Sequence, residues 1–100
     1  MIIAIVKAKI NLGMHQELRN IAHILQYDFS VNEPGCEQYE SYIDGDIFIT
    51  IERWSNQSYL DQHLKTEHVK KYVPQLRHCV VNGTFSVQFI ETDKVSLATI

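Results

Sequence analysis

The sequence predicts an α+β fold of the ferredoxin-like, split βαβ type, with one antiparallel sheet and helices on a single face of it. Three observations predict it. Strand-like and helix-like segments follow one another as strand, helix, hairpin, helices, strand, and an Asp44-Gly45 turn joins the two central strand runs. The chain of 100 residues suits one core and is too short for two. A single domain over residues 1–100 is expected, with its core over about 1–91 and a C-terminal tail over 92–100, apolar from Val95 to Ile100.

Residues 2–10 (IIAIVKAKI) are rich in β-branched side chains and too short for a helix that must cover a sheet, so they read as a strand. Ile2, Ala4, Val6, Ala8 and Ile10 form one apolar face, while the other runs from Ile3 and Ile5 to Lys7 and Lys9. Asn11-Leu-Gly13 punctuates. Met14, Leu18, Ile21, Ala22, Leu25 and Phe29 then recur at helical spacing, with Gln16, Arg19, Asn20, His23 and Gln26 opposite as a solvated face.

After Asn32-Glu-Pro-Gly35, residues 36–43 alternate as a rather polar strand, turn at Asp44-Gly45, and return as residues 46–54. In the returning strand Ile47, Ile49 and Ile51 share one face, and Phe48, Thr50, Glu52 and Trp54 share the other. An aromatic, a hydroxyl, a carboxylate and an indole on one face suit a cavity wall; a solvent-facing edge explains Thr50 and Glu52 equally well. Asn56 caps a helix with Tyr59, Leu60, His63 and Leu64 inward, and Thr66 caps a second with Val69, Tyr72, Val73 and Leu76, which Pro74 restarts or kinks. Residues 84–91 form a fourth strand with Phe85, Val87 and Phe89 on one face.

Hydrophobic residues make up 45% and charged residues 21%, too apolar for disorder and too charged for a membrane span. A net charge of -3 with scattered lysines argues against nucleic acid as a partner. No basic region precedes the first apolar run and Lys7 interrupts it, so the expected setting is the cytoplasm, with no membrane partner. Cys36 and Cys79 are expected to be reduced there. The sheet face away from the helices needs a lid, and a second copy of the chain is the simplest one, so a homodimer is expected.

His63 and His68 are five residues apart, whereas two histidines on one helical face share a metal at a spacing of three or four, so no metal site is expected. The four glycines are isolated turn formers rather than a phosphate loop, and no nucleotide cofactor is expected.

Glu33-Pro-Gly-Cys36 leads into Tyr39, and Glu52-Arg-Trp54 is followed by Tyr59-Leu60, His63 and His68. This combination is similar to the antibiotic biosynthesis monooxygenase family, whose members often read E-P-G-C-x-x-[YF], then E-x-W, then A-L-x-x-H-x-x-[ST]-x-H. Each landmark occurs in order from Glu33 to His68, except that Tyr59 stands where the family usually has a small residue.

The resemblance implies a homodimeric α+β barrel whose subunits each hold a pocket between sheet and helices. Family members include quinol and anthrone monooxygenases that work without metal or flavin, haem-degrading proteins, and isomerases of a small phosphorylated dione. Haem degraders carry an asparagine on the first strand, and residues 2–10 have none.

The expected reading is therefore a monooxygenase with no cofactor, acting on a small quinol-like or phenolic compound. Its alternatives are an isomerase of a small carbonyl metabolite and a dimeric binding module. His63, Trp54, Tyr72 and His68 are the expected catalytic set, with His63 as the general base; Phe48, Thr50, Glu52 and Tyr39 are expected to bind the substrate. Each has a structural reading beside it: a core histidine for His63, a cap on loose carbonyls for His68, plain packing for Trp54 and Tyr72.

Overall fold

The computed structural model describes residues 1–100. The elements are β1 (Ile2–Lys9), α1 (His15–His23), β2 (Cys36–Asp44), β3 (Ile47–Trp54), α2 (Gln57–Leu64), α3 (Glu67–His78) and β4 (Ser86–Glu91). The strands pair antiparallel in the order β2-β3-β1-β4. This is the ferredoxin-like α+β arrangement, and it follows from β1 pairing with both of its non-neighbours in sequence.

The even positions of β1 bury Ile2, Ala4 and Ala8 against the helices. Burying one such aliphatic side chain is worth about 1.5–3 kcal/mol, so this alternation alone fixes which way β1 faces. Leu18, Ile21, Ala22 and Leu25 meet it from the helical side, and with Ile10, Phe48, Leu76, Cys79 and Val80 they belong to the main core cluster. Ile2, Tyr39, Trp54 and Leu60 form a second, separate cluster at the other end of the sheet.

Several details depart from the sequence reading. The first helix continues beyond His23 as a wider π-turn over Ile24–Phe29 and then a 3-10 turn over Ser30–Asn32. Gln26, expected on the solvated face, is buried; its side-chain oxygen accepts from Ser41 N at 3.0 Å and Ser41 Oγ at 2.7 Å. The cause is that β2 is an edge strand, whose outward N–H groups need partners from outside the sheet. Pro74 does not restart the helix, since α3 runs unbroken from Glu67 to His78 with the proline inside.

The face that was expected to be mixed is the inner one. Phe48, Thr50, Glu52 and Trp54 are all buried against the helices, and Ile47, Ile49 and Ile51 lie on the face with no helix over it. Register puts Ile51 beside Ile5 and Ile90 beside Ile3 on that same face. At the far edge the helices stop short of β4, leaving Val87 and Phe89 exposed although they sit on the helical side. No helix is long and apolar enough to cross a membrane.

Candidate active site

The gap between the two core clusters holds the chemistry. Between sheet and helices opens a chamber of about 250 Å³, just under the usual range for small-molecule pockets, which begins at roughly 300 Å³. Its floor is Tyr39, Phe48, Thr50, Glu52 and His63, all buried, and its rim includes Leu64, Arg77, Val87 and Phe89, all exposed. A wider depression of about 660 Å³ runs outside β2 beside Tyr27, Arg53, Tyr42 and Leu97. It holds no imidazole and no buried carboxylate, so the smaller chamber is the candidate site.

β3 supplies one wall because alternate residues on a strand share a face. Along it, the Thr50 hydroxyl donates to Glu52 Oε2 at 3.0 Å and the Trp54 indole N–H donates to Glu52 Oε1 at 3.1 Å. Burial pushes the Glu52 carboxyl above its ordinary value, while His63 and these two donors pull it back. Burial, and then the Glu52 charge, holds the Tyr39 phenol well above its ordinary value, so it stays a hydrogen-bond donor.

The opposite wall comes from the helix pair. Asn56 Oδ1 accepts from Tyr59 N at 3.1 Å to start α2, and Thr66 Oγ1 accepts from Val69 N at 3.4 Å to start α3, as the capping residues predicted. The chain breaks only at Lys65 and Thr66, so His63 near the end of α2 and His68 in the first turn of α3 remain neighbours. A spacing of five along one helix would put the two rings on different faces, but each sits on its own helix. Across the break the two rings lie 6.3 Å apart, centre to centre.

Both rings meet a residue that the sequence reading did not place in the site. Glu33 opens a turn in which Cys36 N donates to Glu33 O at 3.1 Å and Gly35 takes a φ of +75°, the signature of a type II turn with Pro34 and Gly35 at its centre. That turn holds the carboxylate between the helices. Glu33 Oε2 lies 2.7 Å from His63 Nδ1 and 3.0 Å from His68 Nε2. The Tyr59 ring packs directly on Gly35, where a Cβ would lie 2.1 Å from the ring. Glu33 stood within the recognised motif, but nothing in one-dimensional spacing pairs it with residues thirty positions away.

The donors Glu33, His63 and His68 lie within 4.8 Å of one another and are of metal-binding type. The 2.7 and 3.0 Å separations are also those of direct N–H···O hydrogen bonds.

Of the four residues expected to be catalytic, only His63 lines the chamber. Its Nε2 makes no hydrogen bond and lies 4.0 Å from Glu52 Oε1. Trp54 is fully buried and does not line the chamber; its ring lies 4.5 Å from the His63 ring and its N–H donates to Glu52. His68 and Tyr72 lie outside it, both against Phe29. The four residues expected to bind substrate, Phe48, Thr50, Glu52 and Tyr39, all line it.

Comparison with known proteins agrees with this fold. The family model described as antibiotic biosynthesis monooxygenase matches residues 1–75. A search among curated proteins finds no match. Among solved structures, a conserved protein from Methanosarcina mazei Go1 is 24% identical, with a TM-score of 0.84 over 92% of each chain. A structure named antibiotic biosynthesis monooxygenase is 23% identical, with a TM-score of 0.83 over 94% of this chain and all (100%) of that one. Rv0793 from Mycobacterium tuberculosis is 20% identical, with a TM-score of 0.85 over 95% of this chain and 98% of its own. At these identities the structures establish the fold, while the family model, covering β1 to β3, the Glu33 turn and both histidines, shows that the chain belongs to the antibiotic biosynthesis monooxygenase family.

Proposed function

We propose that the chain oxidises a small, electron-rich hydroxyaromatic compound with O2, using the substrate in place of a resident cofactor. The observation that carries this is His63, which lines a mostly apolar chamber and whose Nε2 makes no hydrogen bond and lies 4.0 Å from a buried carboxylate. With Nδ1–H donated to Glu33, that nitrogen is left as an acceptor. Glu52 is an acceptor too, already holding its two donors, so the polar end of the chamber suits a neutral ligand bearing an O–H group better than an anion.

In this reading His63 takes the phenolic proton. The resulting anion passes one electron to O2, the superoxide and carbon radical combine, and the hydroperoxide loses water to leave a carbonyl. The substrate provides the electrons and O2 accepts them. The walls are mostly apolar, and the Tyr39 phenol and the Arg77 guanidinium are lining donors suited to steadying a developing oxyanion.

The test is O2 uptake with a reduced naphthoquinol under anaerobic-to-aerobic mixing. Uptake above the uncatalysed rate should fall by about 10²-fold or more in His63→Ala. No protein-dependent uptake across a panel of quinols and phenols would overturn the proposal, and deuterium exchange into diones without O2 would point to an isomerase instead.

A homodimer is part of the same proposal. The uncovered face has an apolar centre of Ile3, Ile5, Ile49, Ile51 and Ile90 with Gln38, Glu40, Arg53 and Gln88 around it, the anatomy of a protein interface. The tail beyond Thr92 leaves Leu97 and Ile100 exposed, as suits a segment that crosses to a second copy.

A further inference from the structure

We propose that His68 is a positioning residue: acting through Glu33, it holds His63 in the tautomer whose free nitrogen faces the chamber. The inference rests on the reading of His63 as the proton acceptor, and it names what keeps that residue ready.

Four side chains form a line from the surface to the floor. The Phe29 ring stacks on His68 with centres 4.7 Å apart and planes 13° apart. His68 Nε2 reaches Glu33 Oε2 at 3.0 Å, and the same oxygen lies 2.7 Å from His63 Nδ1. An ionised carboxylate only accepts, so both nitrogens must carry their protons toward it. His63 is then Nδ1–H, with its lone pair on Nε2.

The shared oxygen is the reason His68 matters. A carboxylate with one donor retains freedom to turn its charge toward water, whereas a second donor on the same oxygen, from a ring pinned by stacking, fixes its direction. Ser30 Oγ is the one buried side-chain polar atom without a partner, and His68 Nδ1 has no hydrogen bond, so that nitrogen is open to solvent. His68 therefore meets water on one side and the buried carboxylate on the other. Phe29 closes the π-turn that departs from the regular helix, and widened turns of this kind recur at functional sites.

The test has two arms. In ¹⁵N-resolved spectra of the histidine rings, His63 should be the Nδ1–H form in the wild type and in His68→Gln, whose amide N–H replaces the lost donor. It should become a mixture of tautomers in His68→Ala, in Glu33→Ala and, more weakly, in Phe29→Leu, which removes the stack alone if the alanine variants fold poorly. In turnover with a quinol, His68→Ala should lower kcat about 10- to 100-fold with little change in KM, and His68→Gln should restore most of it.

An unchanged His63 tautomer in folded His68→Ala, or equal losses of kcat in the alanine and glutamine variants, would overturn the proposal. So would stoichiometric Zn²⁺ binding that shifts both histidines in the wild type at micromolar metal. The tautomer arm needs no turnover, so a protein that oxidises no quinol yet shows the expected spectra would refute the proposed reaction and leave the positioning role standing.

Discussion

Trp54 donates its indole N–H to Glu52 Oε1 across 3.1 Å, from two positions further along the same face of β3. The tryptophan is thus joined to the chamber through the Glu52 carboxylate and through its ring contact with His63. Trp54→Phe keeps most of the volume and removes the donor from a buried acceptor. Loss of about 1–3 kcal/mol in denaturant unfolding is expected, the ordinary cost of orphaning a buried polar group. A loss smaller than a few tenths would mean that Glu52 finds another donor.

Glu52 also gives the stability curve a slope. Its folded carboxyl sits above the ordinary value of 4.5 chiefly because it is buried. Between that value and its raised folded value the folded chain binds more protons than the unfolded one, so stability falls as pH rises through the window, by up to about 1.4 kcal/mol per pH unit. Subtracting the pH profile of Glu52→Gln from that of the wild type should expose this fall. A flat difference, or a rise with pH, would contradict the assignment.

Gly35 has two reasons to resist substitution. Its φ of +75° lies in the region that side chains avoid, and a Cβ would come within 2.1 Å of the Tyr59 ring. Gly35→Ala should cost upward of about 1–3 kcal/mol, the range for backbone strain alone. The double variant Gly35→Ala with Tyr59→Ala should recover only the part due to the ring, since the Cβ at position 59 would still lie 2.6 Å from the new methyl; thermal melts of the four proteins in the cycle measure it.

The Cys36 thiol is pushed up to about 11 by burial, then by the charges of Glu33 and Glu52. At pH 8 only about one part in a thousand is thiolate, so iodoacetamide should label it slowly, with a rate rising about tenfold per pH unit up to about pH 10. Peptide mass spectrometry separates it from Cys79, which is buried in the main core. Fast labelling at neutral pH would place Cys36 in a more open setting.

Ile51 lies mid-face on the uncovered side of the sheet, paired with Ile5 on β1. Ile51→Glu should convert the expected dimer to monomer in sedimentation equilibrium while leaving far-ultraviolet dichroism unchanged. A wild type that sediments as a monomer would remove the dimer from the proposal.

Much of this fold was legible because period-two and helical patterns report burial directly. Ile2, Ala4 and Ala8 on β1, the turn after Asp44, and the caps at Asn56 and Thr66 are each local signals with one physical meaning. The π-turn and buried Gln26 were not legible, since both answer to the unpaired edge of β2, a neighbour distant in sequence. In the site, Thr50 and Glu52 fell where alternation put them. The union of His63, His68 and Glu33 did not, because it depends on a two-residue break between helices and on a turn brought alongside by the sheet. Trp54, expected in the catalytic set, lies beside Glu52 and His63 without lining the chamber, since a strand pattern gives the face but not the depth.

The chamber has a mostly oily collar and a polar floor: Leu64, Val87 and Phe89, with the single guanidinium of Arg77, are exposed at its mouth, while Glu52, His63 and Thr50 lie beneath. Any molecule entering has to shed its hydration against hydrocarbon before it meets a hydrogen-bond acceptor. Sorting by greasiness thus precedes sorting by functional group, and a substituent trailing from the end opposite the hydroxyl would remain outside the collar, free to vary in length without disturbing the floor.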